Sequence, residues 1–70
     1  PPASDARRRR DARKELSSLV SAWAQKSGQP HAFVHSELRR ACGGPEVARA
    51  SVEQIEARID RVRRWFVGRT

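Results

Sequence analysis

Apolar residues recur along this chain at steps of three and four, the spacing of amphipathic α-helices. A first helix is predicted to end at Gly28, a residue suited to a left-handed C-cap. A second helix should begin near Pro30, which suits a first helical turn, and end at the glycine pair before Pro45. The predicted inward residues of the two helices are Ala12, Leu16, Leu19, Val20 and Trp23, then Val34, Leu38 and Ala41.

The third segment has the clearest amphipathic pattern. Ser51 should begin this helix, and Gln54, three residues later, completes a predicted capping box. Gly68 should end it. No window alternates with period two, so the sequence predicts an all-α, compact three-helix domain with a helix-turn-helix-like first pair. The apolar stripe of the third helix comprises Val52, Ile55, Ile59, Val62 and Phe66.

The N-terminal part of the chain differs from the rest. Residues 1–13 are predicted to be a basic arm or linker, and residues 14–68 the three-helix domain. The residues from Ser4 to Asp11 are polar or Ala, so they form either a solvated extension of the first helix or a disordered arm. Ser4 or Asp5 would cap that extension.

Size and cysteine content limit the class of protein. Seventy residues allow one domain with a thin core, and the single Cys42 allows no internal disulfide, which favours a reducing cytosol. The chain shows no signal-peptide pattern and no apolar run near the roughly 20 residues that a membrane helix needs. No membrane partner is therefore expected.

Net charge indicates the kind of partner. The chain has 15 basic and 8 acidic residues, a net charge of +7, and such a surplus attracts polyanions. A GC-rich genome also favours Arg over Lys, so the net charge, and not the Arg content, is the evidence. Nucleic acid is the predicted partner.

Small, polar and basic residues share the predicted outer face of the second helix, a composition that allows close approach to a groove or to phosphates. The alternative for this helix face is a basic surface that only contacts solvent. For the N-terminal arginines, the alternative is ion pairing within the helix, such as Arg7 with Asp11.

Trp65 could stack on a base, but the favoured interpretation is that it covers the edge of the core. The predicted nucleic-acid-binding residues are Arg7, Arg8, Arg9, Arg10, Arg13, His35, Ser36, Arg39, Arg40, Arg58 and Arg61.

Catalytic and metal chemistry are not expected. His31, His35 and Cys42 suggest a zinc site, but there is no second cysteine and no set of four converging ligands. The chain has no glycine-rich phosphate loop followed by Lys and Ser or Thr, and no activated nucleophile. The sequence therefore predicts no cofactor, no small-molecule substrate and no enzyme activity in this chain.

One stretch resembles a known family: Gly28-Gln29-Pro30-His31, Val34-His35, Glu37-Leu38-Arg39-Arg40 and Cys42-Gly43-Gly44-Pro45, continuing into Ala50-Ser51 and Gln54. It is similar to the C-terminal accessory domain of actinobacterial DEAD/DEAH-type superfamily 2 (RadD-like) helicases, over roughly residues 14 to 66. A looser version of the pattern looks like helical modules of some phage regulators and recombination proteins.

This resemblance implies a bacterial, cytoplasmic, nucleoid-associated module that helps a helicase or recombination protein engage DNA, with DNA favoured over RNA. Any ATPase activity would then belong to other domains of the same protein, which are also possible partners. The alternative is a protein–protein adaptor that binds an acidic partner, with Phe33, Trp65 and Phe66 as its apolar anchor.

Overall fold

The computed structural model describes residues 2–68, with side chains from residue 4 onward. It contains three α-helices, α1 (Pro2–Ser27), α2 (His31–Cys42) and α3 (Val52–Val67), and one 3-10 turn (Val47–Arg49) between α2 and α3. Residues 2–68 contain no strand, which confirms the predicted all-α three-helix domain. None of these helices is both long and apolar enough to cross a membrane.

Two ion pairs show that α1 and α3 run parallel. Arg8 Nη2 lies 3.3 Å from Glu56 Oε2, and Arg63 donates to Glu15. Each pair joins residues 48 positions apart, so the two helices stay in register over two turns. All four side chains are about half exposed, and surface pairs of this kind contribute at most about 1 kcal/mol each.

The opposite direction of α2 follows from its contacts with α3. Cys42, at the end of α2, donates from Sγ to the carbonyl oxygen of Ala57 at 3.8 Å, while Glu37 lines a groove together with Trp65 further along α3. The chain therefore runs up, down and up. The core between the helices consists of Ala12, Leu16, Val20, Ala24, Val34, Leu38, Ala50, Ile55, Ile59 and Val62.

The placement of Ala41 in the core is wrong, because this residue is exposed. Val34 and Leu38 lie one turn apart on α2 and are fully buried, so they already fill the contact with the other helices. Ala41 lies at the side of that face, and its methyl group is not covered.

The N-terminal residues continue α1 without a break. Of the two alternatives for this region, the structure contains the helical extension, and the helix begins at Pro2, so neither Ser4 nor Asp5 is its N-cap. Ala12 belongs to the core and Arg8 pairs with α3, so the helix packs on the domain before residue 14. Pro1 lies outside the described residues, as do residues 69 and 70.

The predicted end of α1 and the predicted start of α3 are confirmed. Gly28 has φ +78° and donates to the Ala24 carbonyl oxygen at 2.8 Å, the conformation for which glycine is favoured. The Ser51 hydroxyl accepts from the Gln54 backbone N–H at 3.1 Å, and the Gln54 side chain accepts from the Ser51 N–H at 2.9 Å. This reciprocal capping box fixes the start of α3.

Candidate nucleic-acid interface

A surface groove, which we call the α2 groove, separates α2 from the 3-10 turn. Ser36, Arg39 and the small Ala32 are exposed along it. The sequence predicted the α2 side of this groove but missed the opposite wall, because helical periodicity does not determine the path of a connector. The lining residues are Ala32, His35, Ser36 and Arg39 from α2, with Glu46 and Val47 opposite.

His35 is half-buried in this groove. Burial is the main cause that lowers the pKa of its imidazole below the ordinary value of 6.5, and the charges of His31 and Arg58 lower that pKa further. The ring is therefore neutral at pH 7. A neutral imidazole offers one hydrogen-bond donor and one acceptor, so His35 suits contacts with bases or sugars better than phosphate neutralisation.

The lowered pKa of His35 predicts a pH-dependent stability. The unfolded chain, with an imidazole pKa of 6.5, takes up its proton first as the pH falls. The contribution of His35 to stability is therefore fully present above that pH and is lost progressively below it. Urea unfolding, followed by circular dichroism from about pH 7 to about pH 5, should show less loss in His35→Gln than in the parent. Equal losses would contradict this assignment.

The prediction that Arg58 contacts nucleic acid is wrong, because its side chain is completely buried. Arg58 Nη2 donates to the backbone carbonyl oxygens of Gly43, at 3.1 Å, and of Pro45. Gly44 has φ +88°, and a Cβ added there would lie 3.2 Å from the same nitrogen. Arg58 thus holds the turn that leads directly to Glu46, in the wall of the α2 groove.

The other two nitrogens of the Arg58 guanidinium have an environment that is unusual for a buried cation. Nε and Nη1 are buried without a hydrogen-bond partner among the described residues, and no described carboxylate pairs with the side chain. Burial lowers the pKa of Arg58, although an arginine stays charged at neutral pH. A buried charge without an acidic partner is costly, so Arg58 serves the position of the turn and not stability alone.

The arginines of α1 form the second basic surface. Arg7, Arg9, Arg10 and Arg13 are all exposed, and no ion pair within the described residues involves any of them. The alternative pairing of Arg7 with Asp11 is therefore absent from the described contacts. One shallow patch is lined by Asp5, Ala6 and three of these arginines, namely Arg9, Arg10 and Arg13.

The remaining predicted residues lie apart from these two surfaces. Arg40 Nη1 lies 3.5 Å from Glu37 Oε2, and Arg40 does not line the groove of Arg39. Arg61 lines a different depression, between the end of α2 and α3, beside Arg64. Arg64 is exposed, and it is not among the predicted residues because it lies outside the stripe next to the core.

The aromatic residues pack against one another at the end of the bundle. The Trp23 ring lies 5.6 Å from Trp65 and 5.1 Å from Phe66, centroid to centroid. Trp65 therefore covers the edge of the core, as favoured from the sequence. Of the three rings proposed as an adaptor's anchor, only Phe33 is strongly exposed, at 45%.

His31 is hydrogen-bonded to a side chain of α1. His31 Nε2 lies 3.0 Å from Ser21 Oγ, a hydrogen bond that ties the start of α2 to α1. Within residues 2–68, no group of three or more His, Cys, Asp or Glu side chains is arranged to hold a metal ion.

Comparisons with known proteins find relatives in mycobacteria. The uncharacterized protein ML1624 of Mycobacterium leprae is 52% identical over 62 residues, which cover 89% of this chain and 10% of that protein. The uncharacterized protein MT2985 of Mycobacterium tuberculosis is 54% identical over 54 residues, which cover 77% of this chain and 9% of that protein. The chain thus spans about a tenth of the length of the curated relatives it matches. No established protein family matches it, and no solved structure does.

Proposed function

We propose that this chain is a non-catalytic, nucleic-acid-binding module of a longer protein, with DNA as its main ligand. The observation that carries the proposal is the set of exposed arginines on α1 that form no ion pair with any other described residue, on a chain of net charge +7. At 1.5 Å per residue, Arg9 and Arg13, which line the same patch about one helical turn apart, are separated by about 6 Å along the helix axis. That distance corresponds to about two base-pair steps of about 3.4 Å, so neighbouring phosphates lie within reach.

The α2 groove supplies a second contact of different chemistry. Arg39 can neutralise a phosphate, while Ser36 and the neutral His35 can hydrogen-bond to sugars or base edges. Contacts to phosphate position a protein on nucleic acid, and contacts to base edges carry sequence information. In this proposal the α1 arginines supply affinity, and the α2 groove orients the module.

The length of the relatives supports a role inside a larger protein, since about nine tenths of each relative lies outside the match. Together with the resemblance to helicase accessory domains, this favours a module that helps a helicase or recombination protein engage DNA in the bacterial nucleoid. Other domains of that protein are then its partners in the same chain. Any ATP-driven step belongs to those domains.

Replacing Arg39 and Arg40 together by Ala tests the α2 surface. Both side chains are exposed, so the melting curve should stay close to that of the parent, within about 0.5 kcal/mol. DNA binding should weaken, and the slope of log affinity against log salt should flatten by up to about two units. Arg39→Ala should account for most of the loss, because Arg40 is partly neutralised by Glu37.

Fluorescence polarisation of labelled DNA at several salt concentrations measures both effects. Glu37→Ala, measured on duplex DNA, is the matched control, because it frees Arg40 and should strengthen duplex binding slightly. If the double variant binds DNA as tightly as the parent with the same salt slope, α2 is not a contact surface. An adaptor for an acidic protein then becomes the better description of this face.

A further inference from the structure

The end of the bundle opposite the start of α1 carries a groove that the proposed function does not use. We call it the tryptophan groove. Residues from all three helices and from the turn after α1 line it, and they are Trp23, Lys26, Ser27, Gln29, Glu37 and Trp65. We infer that the tryptophan groove binds an unpaired nucleobase, so that single-stranded DNA or a strand end is the preferred substrate. This inference rests on the proposed function and deepens it.

The two indole rings form a fixed platform. The Trp23 ring packs against Trp65, with centroids 5.6 Å apart, and against Phe66 in a T-shaped arrangement at 5.1 Å, and both tryptophans are only partly buried. Each ring is therefore immobilised by packing while part of its surface faces solvent. Such rings suit base stacking, which tolerates any sequence because every base has a π-face.

The rim of the tryptophan groove combines hydrogen-bond donors and acceptors. Lys26 donates, Glu37 accepts, and the Gln29 amide and the Ser27 hydroxyl can do both. The edge of a nucleobase presents both kinds of group. An apolar partner helix would instead bury the Lys26 ammonium and the Gln29 amide without hydrogen-bond partners.

The charges at this end also fit a nucleotide. Glu37 lies 3.5 Å from Arg40, so its charge is partly compensated, and Lys26 adds a further cation on the rim. The phosphates of a strand whose base enters the groove can therefore lie beside Arg40 and Lys26. In a duplex the base faces are stacked and unavailable, so the groove discriminates in favour of unpaired bases.

The chain contains only two tryptophans, and both line the groove, so their fluorescence reports its occupancy. Titration with a single-stranded oligothymidylate should quench the indole emission, and a blunt duplex of equal length should quench it much less. Polarisation of the labelled DNA measures binding independently in the same samples. Binding of both ligands with equal quenching, or with none, overturns the base site but leaves the proposed function standing. Absence of binding by polarisation overturns both.

A pair of matched variants assigns the effect to the groove. Trp65→Leu keeps apolar bulk but removes a stacking surface, and it should weaken single-strand binding by about 5- to 100-fold with little effect on the duplex. Phe33→Leu removes an exposed ring outside the groove and should change neither affinity by more than about twofold. Equal effects of the two variants contradict the inference. If Trp65→Leu does not fold, the quenching of the parent protein decides.

Discussion

Replacing Ile59 by Ala is expected to lower the free energy of unfolding by about 2–5 kcal/mol, because a buried aliphatic side chain is lost and a cavity remains. Ile59 is 4% exposed and lies in the middle of α3, against the core. A domain of 70 residues has only about 4–10 kcal/mol in total at the usual stability per residue. The variant should therefore be marginally folded or unfolded, which urea and thermal melts followed by circular dichroism will show.

Val67→Ala is the matched control for this prediction. Val67 lies on the same helix but is 79% exposed, so its truncation should change stability by no more than about 0.5 kcal/mol. If Ile59→Ala melts like Val67→Ala, α3 does not pack as the structure shows.

Arg58 should respond differently to two substitutions. Arg58→Ala removes the whole buried side chain and its hydrogen bonds to the turn, and it should cost about 2–5 kcal/mol, as for other large core truncations. Arg58→Met keeps most of the stem volume and removes a buried, unpaired charge. Removal of the costly charge offsets the loss of the hydrogen bonds to Gly43 and Pro45, so this variant should be clearly more stable than Arg58→Ala.

The Met variant also tests the positioning role of Arg58. Without its guanidinium, the carbonyl oxygens of Gly43 and Pro45 lose their donor, and the wall that contains Glu46 is released. DNA binding through the α2 groove should weaken in Arg58→Met although this variant is more stable than Arg58→Ala. Unchanged DNA affinity would show that Arg58 does not set the groove, and a loss of stability as large as in Arg58→Ala would show that the buried charge itself stabilises the fold.

Local sequence signals predicted the helices well because each signal acts within a few residues. Gly28 ends α1 through its own left-handed conformation, and Ser51 with Gln54 begins α3 through reciprocal hydrogen bonds. The prediction that Arg58 contacts nucleic acid was wrong because α3 packs against both other helices. The buried face of α3 is therefore wider than a single apolar stripe. Arg58 lies on the flank of that face, where a long side chain reaches the turn after α2.

The candidate site was only partly predictable for a similar reason. His35, Ser36 and Arg39 share one groove because they share one helix face, which periodicity shows. The engagement of Arg8 with α3 depends on the register between α1 and α3, which no local pattern contains. The same holds for the tryptophan groove, whose residues come from three helices and a turn.

Nucleic-acid binding by the α1 arginines is the central claim, and a salt titration tests it most directly. Labelled single-stranded and duplex DNA should bind the parent protein tightly at about 50 mM salt and much more weakly at about 200 mM. Replacing Arg7, Arg9, Arg10 and Arg13 together by Ala should keep α1 helical and flatten the salt slope by about three to four units on duplex DNA. Arg63→Ala, which removes an arginine already paired with Glu15, should leave that slope nearly unchanged. No binding at the lower salt concentration, or the same slope in the parent and the fourfold variant, would contradict the account.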